Sequence, residues 1–439
     1  MAAKDQSYLI IGAGVFGVST AYYLIQKYPQ ASITLVDRDA YDADSRVAAS
    51  WDWNKVVRAD YDDLVYCRMG IESQDIFKSD PLWKPYFHET GIFWTCRGDY
   101  AQKVIDNYKK LGRKADLYAV SVEEAKKMHD GLFDHADYSG VTEVLINNTS
   151  GWGAAGDCLQ AVTREAIKLG VKYVVAEVAS LQFDGSGRCT GLKTANGRKL
   201  TASHTILSTG AFTPKLLELS AHDSGRNALR ADGRIVAGGI ATGLTKLDDK
   251  TYEKHAKMPV GMQGYPAEIG PFLGSLPPTP DHELKWWGPT IFTNTREVLP
   301  GRRISMPPAK PDYGQWDVPP RLKKDIDDAN NVFYGKKGAD WKMNKYRICW
   351  DAFTTTSDFI ISPHAAAQGL YVATCGSFHG WKFFPVLGKY VVQMLEGALP
   401  ADLAEKWAWD RHRPDPKDNP EYPRWEMNSI LDSVGSSKL

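Results

Sequence analysis

Apolar positions along the chain follow two different periods. Residues 8–11 (YLII) are a short continuous apolar run that stops at a glycine, the pattern of a buried strand. Residues 15–28 (VFGVSTAYYLIQKY) space their apolar positions as an amphipathic helix does. ASITLVDR, residues 31–38, is strand-like again, with Ile33, Leu35 and Val36 in its apolar run. These three predict one βαβ unit over 8–38. The same alternation returns later. DCLQAVTREAIKLG reads as a helix and VKYVVAEV as the strand after it. LQFDGSGRCTGLKTANGRKL predicts two or three antiparallel strands joined at glycine turns. His204 to Phe212 reads as a strand ending in a small, Gly-containing turn that can return the chain to the first unit.

The pattern changes over residues 219–345, which carry Pro, Gly, Trp and short alternating runs such as EIGPFLGSLPPTPDHELKWWG. That predicts an antiparallel sheet in a second domain. Residues 346–398 read strand, turn, strand, Gly-rich loop and helix, and the Trp-, Pro- and charge-rich tail 407–439 reads as extended chain. The fold class expected is therefore α/β with an α+β second domain: a Rossmann-type nucleotide domain plus a substrate domain built on an antiparallel sheet. The nucleotide domain is expected to be discontinuous, from 1–85, 150–218 and 346–439, with the substrate domain from 86–149 and 219–345. At 439 residues the chain is long enough for both.

Lys+Arg and Asp+Glu both number 53, which disfavours a non-specific nucleic-acid binder. There is no apolar run of about 18 residues to span a membrane. Six scattered cysteines with no CxxC, and ten histidines that form no ligand cluster with them, point to neither a disulfide framework nor a metal site. The end of the sequence, Ser437-Lys438-Leu439, has the form of a peroxisomal address read by an import receptor.

The turn between the first strand and helix carries the first specific chemistry. Gly12, Gly14 and Gly17 give GxGxxG in its full context, a strand before and a helix after, with Asp37 twenty residues beyond Gly17. Gly12 permits the tight turn, Gly14 a close approach of backbone to pyrophosphate, and Gly17 close packing of helix on strand. The helix N-terminus offers free N–H groups to phosphates. An acidic Asp37 suits the free hydroxyls of an adenosine ribose, as in FAD or NAD, and disfavours NADP.

Several further motifs, taken together, resemble the covalent-flavin amine oxidases: monomeric sarcosine oxidase, pipecolate and saccharopine oxidases, and the fungal fructosyl amino acid oxidases (amadoriases). They are GAGVFG, SWDWNKVVRADY, KPYFHETG, ELKWW, YRICWDAFTTTSDFIIS and CGSFHGWKFFPVLG, and they cover most of the chain. The resemblance implies an FAD-dependent oxidase of secondary amines that gives an imine and H₂O₂, with O₂ and a small amino-acid substrate as partners and a monomer as the assembly. It implies FAD held through a thioether from Cys349 to the 8α position. It places Lys285, in ELKWW, over the flavin, where a fixed cation promotes reaction with O₂; Lys55 is the second candidate for that role.

The same resemblance makes Arg58 and Lys382 a clamp for the substrate carboxylate, Arg as a bidentate fork and Lys as a point charge. Amadoriases share the Lys but not the Arg, so the pair favours N-methyl amino acid, pipecolate or saccharopine type substrates. An internal capture of the imine, as in fungal alkaloid pathways, stays open. The expected cofactor contacts are Gly12, Gly14, Val15, Phe16, Gly17, Asp37, Arg38, Ser50, Lys55, Val178, Cys349, Gly376, Phe378, His379, Gly380 and Lys382. The expected substrate pocket adds Asp351, Glu268 and Trp51, with Trp53 and Trp381 as further walls. Asp351 stands where sarcosine oxidase has a tyrosine, and Pro289 where it has a histidine. Two alternatives remain: a fructosyl amino acid oxidase, in which Glu268 would meet the sugar or amine, and an NAD-dependent Rossmann dehydrogenase.

Overall fold

A computed structural model of the chain describes residues 6–44, 46–264, 273–309 and 313–432. The βαβ unit forms as the pattern predicts. Strands Ser7–Ile11 and Ser32–Asp37 pair in parallel around the helix Val15–Lys27. They lie inside a six-stranded sheet whose order runs Ile360–Pro363, Leu370–Thr374, His204–Leu207, Ser7–Ile11, Ser32–Asp37, Lys172–Val175. All neighbours are parallel except the edge strand Ile360–Pro363. Strands buried on both faces need continuous apolar runs, which is why YLII and ITLV read so plainly. The helix Val15–Lys27 packs on the helices Ala155–Leu169 and Phe384–Leu395, which cover one face of the sheet.

The stretch read as two or three strands forms a three-stranded antiparallel sheet, Val178–Phe183, Cys189–Thr194 and Lys199–Thr201. The strand expected across VKYVVAEV is divided: Lys172–Val175 joins the parallel sheet and Val178 opens the antiparallel one.

The second domain is a nine-stranded sheet, mostly antiparallel. Its long strands are Val236–Lys246 and Glu283–Thr293, paired over most of their length. Two expectations are corrected here. Strand Lys345–Phe353, assigned from the sequence to the nucleotide domain, pairs in register with Val236–Lys246 and belongs to the large sheet. Cys349 therefore rides on the substrate sheet, not on the nucleotide domain. Residues 219–345 are also not all strand: Pro320–Tyr334 is a helix whose Leu322, Ile326, Ala329 and Phe333 pack against that sheet. The spacing of those four is helical, but prolines 319 and 320 before them look like a turn signal.

The tail is not merely extended. Trp425–Glu426 adds a short strand beside Phe292–Thr293, followed by the helix Met427–Asp432. Among the described residues no helix is long and apolar enough to cross a membrane, and no group of three or more His, Cys, Asp or Glu is placed to hold a metal ion.

The Gly-rich turn depends on two contacts. Gly12 has φ +100° and its N–H donates to the Val36 carbonyl. A Cβ on Gly17 would stand 1.9 Å from the Gly12 carbonyl oxygen. Gly17→Ala should force helix and turn apart. We expect a loss of about 1–3 kcal/mol of stability, as for other overpacked sites, together with loss of bound flavin. Urea unfolding and the flavin-to-protein absorbance ratio check this; full flavin content at unchanged stability would contradict it.

Candidate active site

Two adjoining cavities lie where the parallel sheet meets the large one. The first, about 350 Å³, runs from the Gly-rich turn past Asp37, Arg38, Ser50 and Val178 to Cys349, Asp351, Gly376, Phe378 and Gly380. The second, about 150 Å³, is lined by Arg58, Lys285, Trp287, His379, Lys382 and Glu421, among others. Lys55, Cys349, Phe378 and Trp381 line both, so they stand at the junction.

The first cavity is built as a long groove for a dinucleotide. Asp37 accepts the Ala13 N–H at 2.7 Å and pairs with Arg46 at 3.1 Å, so the acidic side chain also ties down the glycine turn. Ser50 accepts the Val15 N–H at 2.9 Å and sits against Gly14, where a Cβ would come within 2.9 Å of its hydroxyl. The Arg38 guanidinium is held between the rings of Phe212 and Tyr313, at 4.0 and 3.8 Å. Ser208 lines the groove with a buried hydroxyl that has no protein partner. An unpaired buried hydroxyl is costly unless a ligand or water meets it. The glycine cradle, the acidic strand end and this open hydroxyl fit a bound FAD.

At the junction lies a buried charge cluster. Asp52 pairs with Lys285 at 2.6 Å and with Lys55 at 2.7 Å. Lys285 also donates to the Asn54 carbonyl at 3.0 Å. Burial alone would raise the Asp52 carboxyl, but Lys285, Lys55 and Arg347 outweigh it and hold it below the usual carboxylate range. Burial pushes Lys285 down to about 8; Asp52 resists this and Lys55 adds to it. Lys55 is likewise desolvated, yet Asp52 and Cys349 hold it above the usual lysine range. The Lys55 Nζ lies 3.9 Å from the Cys349 sulfur. Arg347, two residues before Cys349, donates to the carbonyls of Arg46, Ala48 and Trp51, pinning the loop that floors the first cavity.

The second cavity has a different character. Arg58 lies between the rings of Tyr61 and Trp94, at 4.2 and 4.6 Å, and donates to the Asp60 carbonyl. Lys382 donates to the His379 carbonyl at 3.1 Å. Burial pushes Lys382 well below the usual lysine range and Arg58 adds to that, against the pull of Glu421. Tyr61 donates to His379 Nδ1 at 3.1 Å, and the opposite nitrogen, 2.8 Å from the Ser357 carbonyl, carries the ring proton. Burial drives His379 down to about 3, so the ring is neutral and both its nitrogens are engaged.

The sequence-predicted residues thus divide. Gly12, Gly14, Val15, Phe16, Asp37, Arg38, Ser50, Lys55, Val178, Cys349, Gly376, Phe378 and Gly380 line the first cavity, and Gly17 supports it from behind. Lys285, Arg58 and Lys382 meet in the second. Five assignments change. His379 and Lys382 line the second cavity and not the first. Asp351 lines the first cavity and not the second, and its carboxylate accepts the N–H groups of Ala352 and Phe378, shaping the Gly-rich loop. Trp51 and Trp53 line neither; their rings pack against each other, and Trp51 also against Arg347. Glu268 and Ser437-Lys438-Leu439 lie outside the described residues. The sequence reading missed Asp52, although its place three residues before Lys55 in SWDWNK was a signal. It also missed Glu421, which stands between two prolines with no motif around it.

The FAD dependent oxidoreductase family (DAO) matches this sequence over residues 7–394. The chain belongs to that family. Among relatives, it is 23% identical to the L-saccharopine oxidase of Schizosaccharomyces pombe, over 92% of this chain and 93% of that one. It is 23% identical to the amino acid oxidase imqH of Aspergillus flavus, covering 89% and 92%. A fructosyl peptide oxidase structure from E. terrenum superposes with a TM-score of 0.81 at 22% identity, covering 98% of both chains. In this FAD-dependent oxidoreductase the first cavity has the lining that fits a flavin groove, and the second adjoins it at Lys55, Cys349, Phe378 and Trp381.

Asp52 is the group on which the junction turns. Asp52→Asn should leave Lys285 and Lys55 buried beside each other without their shared counter-ion. Removing one partner of a buried pair costs about 3–5 kcal/mol. Denaturant unfolding of the holoprotein should show that loss; a change below about 1 kcal/mol would mean the lysines find another partner.

Proposed function

We propose that this protein oxidises the secondary amine of N-substituted α-amino acids, with FAD carried covalently on Cys349 and O₂ as the electron acceptor. The observation that carries the reading is the second cavity, lined by buried Arg58 and Lys382 and adjoining the flavin groove at Lys55, Cys349, Phe378 and Trp381. A buried guanidinium with a lysine in the same small, largely apolar chamber makes a receptor for one carboxylate, whose charge would in turn favour the protonated form of Lys382. The names of similar proteins, an L-saccharopine oxidase and an amino acid oxidase, agree with an amino-acid substrate.

Arg58 is held by Tyr61, Trp94 and the Asp60 carbonyl, so its fork is fixed before substrate arrives. Such preorganisation orients the substrate's α-carbon towards the junction. The chamber walls, including Ile240, Leu276, Trp287, Ile291 and Phe353, exclude water and favour the neutral amine, whose lone pair drives loss of the C–H bond. Bound FAD supplies the two-electron acceptor for that step and the path of electrons to O₂, giving H₂O₂. Lys285 and Lys55 hold fixed positive charge at the junction, where anionic character develops during oxygen reduction. Cys349 supports the attachment reading, since among the six cysteines it alone lines these two cavities, and it lines both.

Two outcomes test this. Arg58→Ala should lower kcat/KM for pipecolate and N-methyl amino acids by about 2–5 kcal/mol of transition-state binding, with Arg58→Lys recovering only part. Rapid turnover of fructosyl-valine, indifferent to Arg58→Ala, would favour an amadoriase activity instead. Acid-precipitated wild-type protein should stay yellow, and Cys349→Ala should release its flavin to the supernatant. A yellow Cys349→Ala pellet would move the attachment elsewhere.

A further inference from the structure

The large sheet supplies one wall of the second cavity. Ile240, Met262, Leu276, Trp287, Ile291 and Phe353 line it from five consecutive strands of that sheet. The polar side chains of the same wall are already engaged. The Thr242 hydroxyl donates to the Arg347 carbonyl at 3.3 Å, and Lys285 is held by Asp52 and the Asn54 carbonyl. Arg58, Lys382 and Glu421 all come from outside the sheet.

Two departures from a regular sheet shape this wall. In the pairing of Val236–Lys246 with Glu283–Thr293, Trp287 stands opposite Thr242 and Ile291 opposite Ile240. Gly288, Pro289 and Thr290 therefore face Ala241 alone, a wide bulge, which is where a central strand tolerates a proline. The bulge leans on the helix Pro320–Tyr334: the Thr290 hydroxyl donates to Asp325 at 2.6 Å, and a Cβ on Gly288 would come within 3.2 Å of Ile326. A regular strand would set Pro289 opposite Ile240; the bulge sets Ile291 there, and Ile291 lines the cavity. On the other side Trp287 pairs with Gly274. A Cβ on Gly274 would stand 1.9 Å from the indole, so the ring lies across the bare glycine backbone and is fixed in the wall.

We propose that Trp287 and Ile291 are specificity-determining residues that restrict this chamber to amino acids whose amine substituent or side chain is a compact hydrocarbon group, and that reject hydroxylated ones. The inference rests on the reading of this chamber as the site of a carboxylate-anchored substrate. At about 150 Å³ the chamber is smaller than the roughly 300–1,000 Å³ of pockets for drug-sized ligands, so a bound amino acid meets the sheet wall as well as Arg58 and Lys382. Hydrocarbon gains from contact with that wall, whereas a hydroxyl set against it is buried without a partner.

The test uses two non-oxidisable probes on the holoenzyme, butyrate and 3-hydroxypropionate, read by perturbation of the flavin absorbance. Both have one carboxylate and the same number of heavy atoms, but the second ends in a hydroxyl where the first ends in a methyl group. Wild type should bind butyrate about 10-fold or more tightly, the size expected for a hydroxyl buried unpaired. Trp287→Ala, which opens the wall to water, and Ile291→Thr, which places a hydroxyl in it, should each bring the probes within about 3-fold of one another. Trp287→Phe should keep the wild-type preference. A wild type that binds both probes alike overturns the inference, as does the wild-type ratio in either wall variant. Ile291→Thr alone decides if Trp287→Ala does not retain flavin. Arg58→Ala supplies the separate control. If it leaves both probes unchanged, the carboxylate-anchor reading fails, and the inference with it. If it weakens both and the ratio ignores the wall variants, the anchor stands and the role of Trp287 and Ile291 falls.

Discussion

The buried Asp52 carboxylate, shared between Lys285 and Lys55, is the constraint on which the two halves of this protein meet. Asp52 and Lys55 come from the loop and short strand after the Gly-rich unit; Lys285 comes from the central strand of the large sheet. Arg347, two strands away in the same sheet, lowers the same carboxyl and pins the loop that carries it. Buried charges of this kind give less net stability than apolar packing would. What they give is placement: four elements must close correctly for every charge to be satisfied. The outcome is a locus with more positive than negative charge, sited where the flavin groove opens into the chamber.

That locus also explains why Cys349 lies on the large sheet. A residue that must reach the end of a long groove cannot come from the strand that begins it. Strand Lys345–Phe353 runs beside Val236–Lys246, and its register sets Cys349 opposite Ile240, facing the groove's far end. Arg347 and Asp351 flank it on the same strand, two residues either side, hence on the same face. One holds the loop 46–51 and the other holds the Gly-rich loop at 376–378. Three alternate positions of one strand thus position the floor, the attachment candidate and the roof.

Much of this was legible in the sequence, and the pattern of success is physical. The βαβ unit was plain because a doubly covered parallel strand has to be apolar throughout and the Gly spacing has to fit the turn. The cations Lys285, Arg58 and Lys382 could be picked out because a motif framed each. Their counter-charges could not. Asp52 has meaning only once Lys285, more than two hundred residues away, is brought beside it. Asp351 was aimed at the substrate because sequence position says which strand carries it, but not whether its carboxylate is already occupied by backbone N–H groups. The domain boundary at 346 failed for a similar reason. An alternating strand looks the same whichever sheet it joins, and only its pairing with Val236–Lys246 settles the matter.

The chamber divides its work between rigid and strapped parts. Arg58 is fixed by two aromatic faces, and His379 by hydrogen bonds at both nitrogens, so neither can adapt to a different substrate without losing partners. Glu421 reaches the same space from a segment held by a few hydrogen bonds and a short strand.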